Sequence, residues 1–257
     1  MKIANFFGGY GTRLFLACLL ALGSIGTVRA DTLLVIGATG GTGREVVRQA
    51  QAKGQAVRVF VRDEAKARAQ LGDGLQYFVG DVRTGKGIDA AMKGADYVVS
   101  ALGSNVRSDP TNTPESVDYN GVRLLAEAAA KAGVRHFVLV SSMGATHVDH
   151  PLNKMFGNIL VWKLKGEDAL RASGVPYTVL RPGGLLDTVG GKTGVKVFQG
   201  DDLRNQGRIP RADVATVALA ALGNKDARSK TFELVSDDKA DSTDFAAMFA
   251  GLKPDVR

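Results

Sequence analysis

The sequence predicts an α/β fold, a doubly wound parallel sheet in a single domain, and three observations carry that expectation. A short apolar run, Leu33 to Ile36, is cut off by glycine. Gly37, Gly40 and Gly43 then recur at every third residue and lead into an amphipathic helical run from Arg44. Beyond it, short apolar runs alternate with helical stretches almost to the end of the chain. An apolar run without polar alternation is what a strand buried on both faces requires. Strand, glycine turn and helix in this order form the first unit of a Rossmann-type, dinucleotide-binding fold. One glycine permits the sharp turn, one lets backbone N–H groups reach a pyrophosphate, and one lets helix and strand pack closely. The unpaired N–H groups and the dipole at the helix start favour negative charge there. Gly37, Thr39, Gly40, Thr42, Gly43 and Arg44 are therefore candidate cofactor-binding residues.

The chain has 257 residues, 45% of them apolar, enough for one such domain with a substantial core. Residues 1–30 are expected to stand apart as a signal peptide, leaving the domain to 31–257. Lys2 and Arg13 precede the apolar run LFLACLLALGSIGTV, and Val28-Arg29-Ala30 closes the segment before Asp31. A basic start, an apolar stretch and a small-x-small ending describe a cleavable secretory signal. The run is shorter than the roughly 20 apolar residues of a membrane span, so an uncleaved anchor is the second reading. Cys18 lies early in that run rather than at its end, where a lipid-attachment cysteine would stand. Export, for example to a periplasm, is implied, or the cytoplasm if the start codon is misassigned. Nicotinamide nucleotides are kept in the cytoplasm, and no twin arginine marks export with a cofactor already bound.

Cleavage lowers the net charge from +7 to +4, 30 basic against 26 acidic residues, because the segment carries Lys2, Arg13 and Arg29 and no acid. The remaining basic residues are spread among acidic ones with few aromatics, which argues against nucleic acid as a partner. No cysteine would remain and there are three histidines, so disulfides, thiol chemistry and a zinc site are not expected. A small-molecule substrate is the expected partner, and no residue pattern speaks to oligomeric state.

Ala56 to Val61 reads as the second strand, with Arg62 and Asp63 at its end. That position faces the adenosine ribose, where an acid suits the hydroxyl of NAD and an arginine the phosphate of NADP. Arg62 stands nineteen residues after Gly43, and its guanidinium suits paired hydrogen bonds to phosphate. NADP is thus favoured over NAD, with Arg44 as a second cation; the alternative for Arg62 is a plain solvated strand end. Asp63 is better read as the N-cap of EAKARAQL.

Leu75 to Val79 and Tyr97 to Ala101 are the third and fourth strands. The residues at their ends, Asp81 with Val82 and Ala101, Leu102 and Gly103, are expected to line the adenine side of the crevice. Residues 104–114 form a polar loop, plausible as the rim of the site. A helix over Asp118 to Lys131 ends at Gly133, and the strand Val134 to Val140 runs into Ser141-Ser142. A polar loop with His147 and His150 precedes one long helix from Leu152 to Ser173. The sixth strand, Tyr177 to Leu180, leads through Arg181 and Pro182, which holds the turn, to Gly183, Gly184 and Leu185, where backbone can approach the nicotinamide carboxamide. Arg211 and Asp213 are expected to pair and cap the helix that follows them.

The order GATGGTGR, VFVRD, GDV, SALG, VLVSSMG, WKLKGEDALRASG, YTVLRPGGLLD and IPRADVA, over about residues 32–250, resembles an atypical short-chain dehydrogenase/reductase. The similarity is to the branch with an NmrA-like, NAD(P)H-binding domain, and the segments around SSMG, NILVWK and YTVLRPGGLL look like plant members of it. The resemblance implies a serine after the fifth strand and a Tyr-x-x-x-Lys helix, the tyrosine as acid/base and the lysine on the nicotinamide ribose. Ser141 or Ser142 matches the serine, and Lys163 the lysine, with Lys165 second; Ser141, Lys163, Pro182 and Gly183 would then contact the cofactor.

The tyrosine is missing: Ile159 precedes Lys163 by four, and Val161 precedes Lys165 by four. A phenol cannot shuttle the proton from either place. His147 has the right intrinsic pKa to replace it, though a loop histidine is as readily a solvated one. Ser142 can polarise a carbonyl oxygen. Some relatives reduce flavins or quinones, as the resemblance implies, and hydride transfer to a conjugated ring needs no phenol. The expectation is an NADP-dependent oxidoreductase with Ser142, Lys163 and His147 at the reacting end. The alternative is a non-catalytic, NADP-binding redox sensor. Tyr177 and Trp162 have structural readings as well, the one in the core and the other against the sheet.

Overall fold

In the computed structural model, which describes residues 30–240 and 244–256, strand and helix alternate from Thr32 onward. Strand β1 (Thr32–Ile36) leads into α1 (Gly41–Ala52), then β2 (Ala56–Val61), α2 (Glu64–Leu71), β3 (Gln76–Val79), α3 (Ile88–Met92) and β4 (Tyr97–Ser100). A π-helical stretch, Glu115–Gly121, continues directly into α4 (Val122–Ala132), followed by β5 (His136–Val140), α5 (Pro151–Met155), α6 (Ile159–Ala172) and β6 (Tyr177–Pro182). The last quarter holds β7 (Gly184–Leu186), β8 (Gly194–Phe198), β9 (Arg208–Pro210), α7 (Arg211–Ala221), β10 (Lys230–Asp237) and α8 (Phe245–Ala250).

The main sheet has the order β3-β2-β1-β4-β5-β6-β10-β8, and every neighbouring pair is parallel except β10 with β8. The chain runs outward from β1 through β2 and β3, then returns to β4 on β1's other side. That reversal opens a crevice beyond the carboxyl ends of β1 and β4. β1 is buried at all five positions because helices cover both faces. Leu33 and Val35 pack into one core with Val46 of α1 and Val214 of α7, whereas Leu34 and Ile36 pack into the other with Leu125 of α4. Fully burying each such side chain contributes about 1.5–3 kcal/mol. This is the doubly wound Rossmann-type domain the sequence predicts.

Four local expectations need correction. Helix α1 begins at Gly41, three residues before Arg44, so its first turn is made of the glycine motif itself. The long helix expected over 152–173 is two helices. Gly157 and Asn158 both adopt left-handed φ, 60° and 61°, and interrupt the ladder. Buried Asn153 stitches the break, accepting from Leu160 N–H at 2.9 Å while donating to the Val148 carbonyl at 3.0 Å. The helix expected from Asp118 starts at Glu115 as a π-helix. Gly184–Leu186 pairs with Arg208–Pro210 as a small separate parallel sheet where only loop is expected. The expected signal segment lies, but for Ala30, outside the described residues. No helix among the described residues is long and apolar enough to cross a membrane.

At the foot of β5, buried His136 is held in one tautomer. Its Nδ1 accepts from Gly223 N–H at 3.2 Å, so Nε2 carries the proton and donates to Thr178 Oγ1 at 2.9 Å. Thr178 in turn donates to the Ala227 carbonyl at 2.6 Å. A second proton on Nδ1 would face a donor, and burial pushes the His136 pKa down to about 4.

Candidate functional site

The bend after β1 is shaped by what glycine lacks. Gly37 turns the chain with φ 75°, and Gly40 N–H donates to the Gly37 carbonyl at 3.0 Å. A Cβ on Gly37 would lie 2.6 Å from the Ala101 carbonyl oxygen, and one on Gly43 would lie 2.1 Å from that of Gly37. Gly37 thus lets β1 meet the end of β4, and Gly43 lets α1 sit down on the turn. Gly40 caps α1 without a side-chain hydrogen bond, and no acidic residue stands in the first turn. The first amides of α1 are left free to bind an anion. By contrast, α2 is capped by Asp63, whose carboxylate accepts from Lys66 N–H at 3.0 Å, as its sequence position suggests.

A cleft of about 230 Å³ lies along these strand ends. Gly37, Thr39 and Gly40 form one wall, Arg62, Asp81 and Val82 a second, and Ala101, Leu102 and Gly103 the third. Thr42 and Gly43 are buried beneath the bend. Arg44 lines a separate, open groove of about 1270 Å³ between α1 and the 187–193 loop rather than the cleft beside Arg62. Arg62 is more than half exposed and pairs with Asp109 at 3.5 Å.

Two further residues of the cleft carry no sequence signal that marks them. Arg83 grips Asp81 at 2.6 Å and Asp109 at 2.8 Å, and its hydrogen bonds hold the Asp81 carboxyl below its usual range. Asn112 is buried, yet its Oδ1 has no partner among the described residues. A buried acceptor lacking a partner beside a cleft fits a donor on a ligand, such as the amino group of an adenine. The glycine cradle, the uncapped amides and this orphan acceptor together fit a dinucleotide.

The reacting end is held by buried charge. Lys163 of α6 reaches Asp118 of the π-helix at 2.6 Å, and the other oxygen of Asp118 accepts from Ser104 N–H at 3.2 Å. The helices approach closely because a Cβ at Gly166 would lie 2.2 Å from the Asp118 carbonyl oxygen. Asp118 thereby ties Lys163 to the loop that follows Gly103. Ser141 is not available to a ligand: its hydroxyl donates to fully buried Glu167 at 2.6 Å. Glu167 also accepts from Arg181 at 2.6 Å and from Arg171 at 2.9 Å, and Arg181 reaches Glu233 at 3.2 Å. Burial raises the pKa of Glu233. Of the two serines, half-buried Ser142 is left, donating to the Met143 carbonyl at 3.0 Å.

His147 joins two loops, its Nε2 donating to the Asp201 carbonyl at 2.8 Å. The backbone at 182–183 is already engaged: the Pro182 carbonyl accepts from Met143 N–H at 3.0 Å and Gly183 N–H donates to Leu234 at 3.0 Å. Tyr177 is a core residue, its hydroxyl donating to Asp255 at 2.9 Å. Trp162 stacks on Tyr119, with Lys165 4.2 Å above its ring. Arg211 and Asp213 do not pair. Arg211 bonds Asp187 at 2.8 Å and lies across Gly41, while Asp213 accepts from Gly191 N–H at 2.7 Å. Residues two apart in a helix point away from each other. Ile159 opens α6 one turn before Lys163, in the place of a tyrosine.

A glycine-lined, amide-tipped bend at the switch point of a parallel sheet defines a nicotinamide-nucleotide-binding protein of the Rossmann class. Residues 37–225 match a family model described as NAD(P)H-binding, and the chain belongs to that family, within the atypical short-chain dehydrogenases/reductases. The chain is 34% identical to sanguinarine reductase of Eschscholzia californica, over 85% of this chain and 95% of that protein. It superposes on the anaerobillin reductase ChuY of Escherichia coli O157:H7 with a TM-score of 0.66 and 27% identity, covering 82% of this chain and all of that one. An Agrobacterium tumefaciens short-chain dehydrogenase/reductase superfamily protein, solved with bound NAD, shares the fold at a TM-score of 0.60 and 22% identity. The chain is thus a member of a reductase-like, NAD(P)H-binding group.

Proposed function

We propose that the protein is an NADPH-dependent reductase of small conjugated acceptors such as flavins or quinones. The single observation that carries this reading is the pairing of a retained, buried-anchored Lys163 with Ile159 in the tyrosine's place. Keeping the lysine keeps the nicotinamide ribose oriented; losing the phenol removes the proton donor that carbonyl reduction requires. NADPH supplies the hydride. The free amides of α1 hold its pyrophosphate, Arg62 its extra phosphate, and Asn112 faces its base. Asp118 fixes Lys163 against the ribose, and Ser142 orients the acceptor's oxygen. His147 secures the loop that carries Ser142 and stands by as a proton source, while solvent protonates the reduced ring. The names of the sanguinarine and anaerobillin reductases support a reductive role.

Loss of reduced-nicotinamide absorbance, measured with a panel of flavins and quinones, tests the reading. Turnover on at least one acceptor is expected. Tight NADPH binding without turnover on any of them would instead identify a redox sensor, the reading that the missing tyrosine also favours.

A further inference from the structure

A second cavity, about 450 Å³, opens on the other side of the 104–108 loop from the nucleotide cleft, and both share Asn105 and Ser108. Its floor is apolar: Ile159 and Phe156 from the α5–α6 junction and buried Pro114 before the π-helix. Ile159 lies one helical turn from Lys163 on the same face of α6, so this cavity adjoins the reacting end. Arg107 stands at its rim with its guanidinium carbon 5.6 Å from the centre of the Phe156 ring.

Arg107 is exposed and forms no ion pair among the described residues. Of the carboxylates near it in the chain, Asp109 and Asp118 are already engaged, and Glu115, beside Pro114, is exposed to solvent. Asp109 is held by Arg83 and Arg62, and Asp118 by Lys163. A positive charge above an aromatic floor attracts an anion and repels a cation. Stacked flat on Phe156 and Ile159, a planar ring would bring an acidic substituent within reach of the guanidinium, which bonds carboxylate or phosphate through paired donors.

We infer that this cavity is the acceptor subsite and that Arg107 selects planar conjugated acceptors bearing an acidic group over neutral or cationic ones. The inference rests on the reductase reading and narrows its substrate class.

Riboflavin and flavin mononucleotide share a ring and differ by one phosphate, so quenching of their fluorescence by the protein saturated with NADP+ tests the selection without turnover. Flavin mononucleotide should bind about tenfold or more tighter than riboflavin, as expected of a charge-assisted pair. Arg107→Gln should bring its affinity down to that of riboflavin, with riboflavin and NADPH binding unchanged, and Arg107→Lys should keep part of the preference. Phe156→Ala should weaken both flavins alike. Equal affinity of the wild type for the two flavins, or an Arg107→Gln variant that weakens both equally or loses NADPH, overturns the inference. NADPH oxidation is read separately. Arg107-dependent binding without oxidation leaves the subsite standing and removes the reductase reading. Oxidation at equal rates with both flavins, unchanged in Arg107→Gln, does the reverse.

Discussion

The two ends of the row of strand tips are built on opposite plans. Beyond β1, β2 and β4 polar groups are left open: uncapped amides on α1, Arg62 paired only loosely with Asp109, and Asn112 with an acceptor that has no partner among the described residues. At β5, β6 and β10 the tips carry Ser141, Arg181 and Glu233, and nearly every donor is consumed in a buried network centred on Glu167. The first end is unsatisfied until a ligand arrives. The second is tied together by the protein's own ion pairs, although Glu233 Oε2 has no partner among the described residues, and it provides a wall for Lys163 and Ser142. The same fold therefore spends its polar groups on binding at one end and on stiffness at the other.

The largest expected effect is on the stiff end. Glu167→Ala removes the main partner of buried Arg181, leaving it Glu233 alone at hydrogen-bond distance, and should lower stability by about 3–5 kcal/mol, read from chemical denaturation. Arg62→Ala, at the open end, should change stability by less than about 0.5 kcal/mol in the same measurement. Equal losses would erase the distinction between the two ends.

Acid sensitivity should come from neither end but from His136, at the strands' opposite edge. Its folded pKa is about 4, against about 6.5 unfolded, so the unfolded chain takes up the proton first as pH falls. Its stabilisation is complete above pH 6.5 and is lost between pH 6.5 and 4, amounting to about 3 kcal/mol. Melting temperature followed over that window should fall steeply in the wild type and more gently in His136→Gln. An unchanged slope in the variant would shift the acid response onto the ion network.

Smaller effects belong to the open end. Gly43→Ala forces a methyl against the Gly37 carbonyl and should destabilise by about 1–3 kcal/mol while weakening NADPH binding roughly tenfold or more. Arg62→Asp should weaken NADPH about tenfold or more and NADH little, leaving the melting temperature in place. Equal losses for both nucleotides would withdraw Arg62 from the phosphate.

How much of this was legible in the sequence follows the same division. The glycine bend, the buried strand and the N-cap at Asp63 depend on backbone rules that particular residue types announce. Arg62 is singled out by its distance along the chain from Gly43. The other end depends on tertiary meetings. Neighbouring serines at a strand end point to opposite sides, and nothing in the chain says that Glu167 takes Ser141 and leaves Ser142. Asp118 lies 45 residues from Lys163 and is brought to it by Gly166. The break at Gly157-Asn158 had a local sign, two adjacent residues that tolerate left-handed backbone, inside a pattern that otherwise read as one helix.

The account stands on a nicotinamide dinucleotide settling on the amide-tipped bend after β1. Calorimetric titration of the purified wild-type protein with NADPH, beside Gly43→Ala, measures this most directly. The expected result is one saturable site per chain in the wild type, markedly weakened in the variant while its circular dichroism still shows a folded chain. A folded wild-type protein that takes up neither NADPH nor NADH, or a Gly43→Ala variant that binds as well as the wild type, would contradict it.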